Sequence, residues 1–331
     1  MKKWIAGLSA ATLVFTCSGC TKEESSLTPV RLNEVVHSVF YAPQYVAMEL
    51  GFFEEEGIKL SVDIGNGADN SMVALLSDSA DIALMGTEAG IYVYNEGKED
   101  CPVAFAQLTQ RAGNFLIARE PMPDFQWEDL EGKSVIGGRA GGMPELVLEH
   151  VLSSHGLTPK EDVDIIQNID FSSTAGAFLA DMGDFTVEFE PTATTLENQG
   201  VGYVVASLGV ESGYIPYTVY MANPDFLEEH EDLVIAFTRA IYKGQTWVME
   251  HSAEEIAEVI APQFPDSDLE SLTKIIERYK EQDTWKADPS FSEADFELIQ
   301  DIMEEGGELS QRVPFASFVN TEIAATVMGQ N

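Results

Sequence analysis

Two acids stand where short apolar runs end, and their surroundings make them the first candidates for polar recognition. Glu88 follows the run Ile82–Met85 in Gly86-Thr87-Glu88 and is succeeded by Ala89 and Gly90, so no neighbour in sequence offers it a cation. An ionised carboxylate only accepts hydrogen bonds, which suits an amine. The competing reading is an acid placed at a helix N-terminus, where the backbone dipole favours it anyway. Glu190 closes the apolar run Phe185–Phe189 in Glu190-Pro191-Thr192, which makes Glu190 and Thr192 a second pair of candidate contacts. An N-cap role competes there.

Aromatic and donor groups accompany these acids. His37, Ser38, Phe40, Tyr41 and Tyr45 follow the first apolar strand. Such a cluster can stack a flat ring while its hydroxyls donate hydrogen bonds, although Phe40 and Tyr45 at helical spacing equally suit a core, and His37 equally suits a satisfied structural role. Asn66, in Asn66-Gly67-Ala68-Asp69, and Gly86 and Thr87 occupy the turns after the next two strands. The loop Gly138–Gly142 precedes Pro144, so Gly141 and Gly142 lead into a helix start able to hold an acceptor group. That loop lacks the spacing of a nucleotide-binding P-loop. Arg111 and Arg139 are the basic side chains near these loops, with acids around them. Tyr214 and Tyr217 flank a later extended segment and are placed to close over a ligand.

Catalytic chemistry has little to work with. The histidines are scattered, Cys101 has no nearby His, and no G-x-S-x-G occurs. Metal-ligand spacings are absent, and neither a metal nor a cofactor is expected.

The elements that position these residues alternate between β-rich runs and helical stretches, which predicts an α/β fold with mainly parallel sheets. Strands are expected at 30–36, 58–64, 82–85, 103–108 and 115–118, then at 135–136, 165–166, 185–189, 203–206 and 217–221. Helices are expected at 43–50, 68–76, 144–155, 173–181 and 192–198, and beyond Asp225 at 233–249, 253–260, 269–279 and 296–304. In successive βα units, ligands gather where strands end and helices begin.

Composition narrows the partners. Fifty-six acidic against 18 basic residues give a formal charge of −38, which makes nucleic acid and anionic lipid surfaces poor partners. The 331 residues suffice for a large core in two domains. Met1-Lys2-Lys3, an apolar run from Trp4 to Phe15 and then Ser18-Gly19-Cys20 follow the order of a bacterial export signal. Gly19-Cys20 followed by polar Thr21–Ser26 resembles the lipobox of lipoproteins, with Cys17 standing where Leu is usual. The expectation is a leader over 1–19, lipidation at Cys20, a linker over 20–29 and no disulfide.

A wider resemblance rests on Phe40-Tyr41-Ala42-Pro43-Gln44-Tyr45-Val46-Ala47, on Glu49-Leu50-Gly51-Phe52-Phe53-Glu54-Glu55-Glu56-Gly57, on Leu75-Leu76 through Ala80-Asp81-Ile82, and on Asp129-Leu130-Glu131-Gly132-Lys133. The chain resembles the periplasmic-binding-protein type II family that includes nitrate, sulfonate, taurine and thiamine-pyrimidine receptors. The resemblance implies two lobes, each a mainly parallel sheet flanked by helices: lobe one over 30–115 and 217–331, with extra C-terminal helices packed on it, and lobe two over 116–216. Crossovers fall near Phe115–Ala118 and Tyr217–Met221. It implies an extracytoplasmic, lipid-anchored binding protein that delivers a small molecule to the permease and ATPase of an ABC importer. Aromatic residues with Glu88 and Glu190 point to a thiamine-related pyrimidine, with sulfonate, nitrate or riboflavin-like ligands as alternatives. The rivals from other classes are a yeast-type thiamine-pyrimidine synthase, whose cysteine-rich motif is missing, and a sensory lobe of a larger receptor.

Overall fold

A computed structural model describes Met1, residues 27–98 and residues 100–329. The leader and the lipidation site Cys20 lie outside the described residues.

Among the described residues, ten strands form two five-stranded sheets. The first contains β1 (Thr28–Glu34), β2 (Ile58–Ile64), β3 (Ile82–Gly86), β4 (Val103–Thr109) and β10 (Thr218–Ala222), in the order β2-β1-β3-β10-β4. The second contains β5 (Asn114–Ala118), β6 (Ser134–Ile136), β7 (Asp164–Ile166), β8 (Phe185–Phe189) and β9 (Tyr203–Ser207), in the order β7-β6-β8-β5-β9. β3, β5, β8 and β10 are buried along their whole length, which the near-continuous apolar sequences of β3, β5 and β10 require; in β8 the buried Glu188 accepts from Thr186 and Thr174.

Both sheets are mixed. β1 is parallel to β2 and β3, and β6 to β7 and β8, whereas β10 and β5 run antiparallel to both of their neighbours. The chain passes between the sheets at residues 110–113 and 208–217, and β5 and β10 are the first strands after those passages. A strand entering from the other lobe starts at the cleft and must run away from it, which reverses its sense. Phe115–Ala118 therefore lies wholly inside the second sheet, just beyond the crossing.

Helix 42–49 packs against both 231–250 and 253–260 on the first lobe. Two later helices reach further than the sequence led us to expect. Leu269–Glu281 bridges to the second lobe through Arg278 with Glu190 and Glu197 and through Lys274 with Glu197, and Glu293–Glu305 meets the second-lobe helix Met143–Ser154. The turn Gly86-Thr87-Glu88 also continues into a helix, Thr87–Asn95. Gly90 allows that helix to lie close to its neighbours, since a Cβ there would fall 2.5 Å from the Phe318 ring. A single buried apolar cluster runs through both lobes. Among the described residues no helix is long and apolar enough to cross a membrane.

Candidate functional site: the cleft between the lobes

A cavity of about 560 Å³ lies between the lobes at the strand ends. The first lobe lines it with Val35, Val36, Tyr41, Met72 and, from helix 87–95, Glu88 and Tyr92; the second lobe adds Gly138–Met143 and Phe189. Tyr217 and Thr218 close the hinge side. The walls are largely aromatic and aliphatic, the composition that binds small organic molecules by burying their surface.

Two polar atoms in these walls stand out. Glu88 is 3% exposed; its Oε1 accepts from the Met143 backbone N–H across the cleft at 3.3 Å, while Oε2 has no partner. Burial raises the Glu88 carboxyl to about 7, opposed by the backbone N–H groups of Glu88, Met143 and Ala89. Tyr217 is 3% exposed and its hydroxyl also lacks a partner. Buried polar groups are rarely left unsatisfied, so orphaned atoms in a cavity wall mark where a ligand can bond.

The lobes are held together around this space. Tyr92 Oη donates to the Gly141 carbonyl at 2.7 Å, Arg139 pairs with Asp69 across the mouth, and Ser38 Oγ donates to the Glu190 carbonyl at 2.5 Å. Gly141 adopts φ +72°, and a Cβ there would stand 3.2 Å from the Tyr92 hydroxyl, so glycine lets the loop approach the opposite lobe.

Of the residues singled out from sequence, Tyr41, Gly86, Glu88, Arg139, Gly141, Gly142 and Tyr217 line the cavity. The structure places the others elsewhere. Glu190 is buried in an ion pair with Arg278 and accepts from the Thr194 backbone N–H and hydroxyl, both at 2.9 Å, so it anchors helix Thr192–Asn198 instead of facing the cleft. Burial raises the Glu190 carboxyl, with Arg278 pulling the other way. Thr192 lies half-buried in the first turn of that helix. Phe40 packs among Tyr41, Phe189, Tyr217 and Tyr279, and its carbonyl accepts from Trp285 Nε1 at 2.8 Å. Tyr45 donates to the buried carboxylate of Glu34 at 3.0 Å. His37 bonds Glu34 through Nδ1 and the Gln263 carbonyl through Nε2, each at 2.9 Å, and the Glu34 contact raises its pKa against the cost of burial. With an acceptor at each nitrogen, the ring's role is structural. Thr87 donates to the Pro216 carbonyl. Asn66 is exposed, in a left-handed turn at φ 55°. Arg111 donates to the Gly209 carbonyl at 2.9 Å and lies over the Tyr214 ring, while Tyr214 donates to Asp283. These two residues bind each other at the returning crossover, away from the cavity.

Sequence reasoning did not single out Tyr92, Met72, Met143, Phe189 or Glu308, all of which line the cavity. Tyr92 had a usable signal, since it lies one helical turn after Glu88. Phe189 ends β8 beside the acid that drew attention instead. Glu308 sits in a loop past the last long helix, and no local pattern marks it.

Comparison with known proteins supplies the context. Residues 39–255 match the family model described as NMT1/THI5 like. YtlA of Bacillus subtilis (strain 168), whose description goes no further than a binding protein, is 45% identical over 334 residues, with all of both chains covered. Among solved structures, the chain is similar to the ligand-binding component of an ABC-type import system from Staphylococcus aureus, with zinc bound (TM-score 0.72, 15% identity, 91% of this chain and 99% of that one). It is also similar to the alkanesulfonate-binding protein of Xanthomonas axonopodis pv. citri bound to MOPS (TM-score 0.67, 16% identity, 88% and 98%). At these identities the structural likeness speaks to the fold.

Proposed function

The chain belongs to the NMT1/THI5-like family, and from that premise we propose that it is the extracytoplasmic solute-binding protein of an ABC importer, capturing a small organic molecule between its lobes. The ligand we favour is a thiamine-related pyrimidine: a flat, amine-bearing heterocycle. The observation that carries this choice is Glu88 Oε2, an unpartnered carboxyl oxygen in the wall of an apolar cavity. An amine donating to that oxygen satisfies it, and Tyr41, Tyr92 and Phe189 offer faces and edges for a ring. Binding to both lobes at once stabilises the closed form, the state a permease can distinguish. The proposal extends to the lobe boundaries expected from sequence, with the first moved from 115 to the crossing at 110–113 because Asn114–Ala118 is a strand of the second sheet, to a lipid anchor at Cys20 holding the protein on the outer face of the membrane, and to permease and ATPase partners. Among the described residues the cavity lining holds no Ser, Cys or His, which supports binding as the proposed activity.

A sulfonate or nitrate reading has Arg139 in its favour, the Arg or Lys among the residues that line the cavity. Its guanidinium is engaged by Asp69, and Glu88 and Glu308 face the same space. That charge balance opposes an anion. Thermal-shift measurements with hydroxymethylpyrimidine, formylaminopyrimidine, riboflavin and taurine test the choice: a pyrimidine is expected to raise Tm, and stabilisation by taurine alone removes it.

A further inference from the structure

The Arg139–Asp69 pair bears on which ligands the cleft refuses. Arg139 belongs to the second-lobe glycine loop and Asp69 to the first turn of helix Ala68–Leu76, so the pair spans the mouth of the cavity from lobe to lobe. The guanidinium lies along the turn at Gly67, with Nη1 3.4 Å from where a Cβ of that residue would stand. Asp69, Glu88 and Glu308 give the lining three acids against this one cation. An alkanesulfonate needs a donor fork such as a guanidinium and a local field that tolerates negative charge. Asp69 opposes both at once, because it engages the Nη2 arm of the fork and adds an opposing charge.

We infer that Asp69 is a specificity-determining residue, an anion filter that keeps Arg139 from receiving a sulfonate or carboxylate ligand in the cleft. The inference rests on the cleft being the binding site, as proposed above. The two side chains are 60% and 46% exposed, so the bridge is solvent-screened and individually weak. One substitution can therefore release Arg139 without disturbing the buried core.

The test is calorimetric titration of sodium ethanesulfonate into the mature protein, Asp69→Asn and the double variant Asp69→Asn/Arg139→Gln. Asp69→Asn is expected to bind about three- to fivefold more tightly than the natural protein, and the double variant is expected to lose that gain. No gain in Asp69→Asn overturns the filter, and so does a gain that survives without Arg139. Titration of the natural protein with hydroxymethylpyrimidine separates this inference from the ligand proposal. Pyrimidine binding with no gain in Asp69→Asn defeats the filter alone, whereas an Arg139-dependent gain with no pyrimidine binding leaves the filter standing and defeats the pyrimidine.

Discussion

Glu88 and Glu190 follow corresponding strands, β3 in one lobe and β8 in the other, each third in the run β2-β1-β3 or β7-β6-β8. Their surroundings are opposite. Glu190 meets Arg278 from helix 269–281 and two donors from Thr194, and it is consumed by structure. Among the described residues Glu88 meets no cation, only backbone N–H groups and an apolar wall; its Oε1 accepts from Met143 and its buried Oε2 has no hydrogen-bond partner. The strand end decides that an acid is near the cleft; a partner arriving from far along the chain decides whether it stays available.

Removing Arg278 is the severest way to probe the comparison. Arg278→Met leaves a buried carboxylate without its cation and is expected to cost about 3–5 kcal/mol in urea unfolding, with much of that recovered in Glu190→Gln/Arg278→Met. An effect below about 1 kcal/mol would mean that Glu190 is not the structural acid of the pair.

Titration sharpens the contrast next. The folded Glu88 carboxyl lies at about 7, above its ordinary value of 4.5. A raised acid contributes stability that is complete below the unfolded value and is lost as pH rises from about 4.5 through 7. Glu88→Gln should thus match the natural protein near pH 4.5 and exceed it above pH 8 by up to about 3 kcal/mol. Glu188, another buried acid raised to about 7, remains in both proteins and cancels in the difference.

Ligand binding should respond in the opposite direction. Glu88→Gln is expected to weaken an amine-bearing pyrimidine by about 1.5–3 kcal/mol in calorimetry, the range for a hydrogen bond to a charged group. Unchanged affinity would place the ligand elsewhere. The smallest effect is assigned to Tyr217→Phe, which deletes an orphaned hydroxyl. Stability should stay within about 0.5 kcal/mol, while affinity falls by about 1 kcal/mol if the hydroxyl touches the ligand.

Much of the fold was legible because its signals are local. The apolar run Phe185–Phe189 is a strand to the residue, and Ala253–Ile260, opened by the capping box of Ser252 and Glu255, is a helix to the residue. The helix at 87–95 was harder to read, since Gly90 and aromatic residues blur its period and its close packing is tertiary. The site was legible at strand ends and obscure elsewhere. Tyr41, Glu88 and Tyr217 line the cavity, but Glu190, Arg111 and Tyr214 find partners in segments whose proximity no spacing reveals. Sequence alone identifies which side chains are able to bond, and the competing partners are set by the fold.

The indole of Trp285 offers an intrinsic gauge of this machinery. It is 3% exposed, bonded to the backbone of Phe40, and 5.8 Å from the Tyr279 ring. Phe40 in turn touches Phe189 of the other lobe. A rotation that parted the lobes would disturb those ring contacts, so the contribution of Trp285 to the emission of the four tryptophans would serve as a label-free optical signal of such a motion.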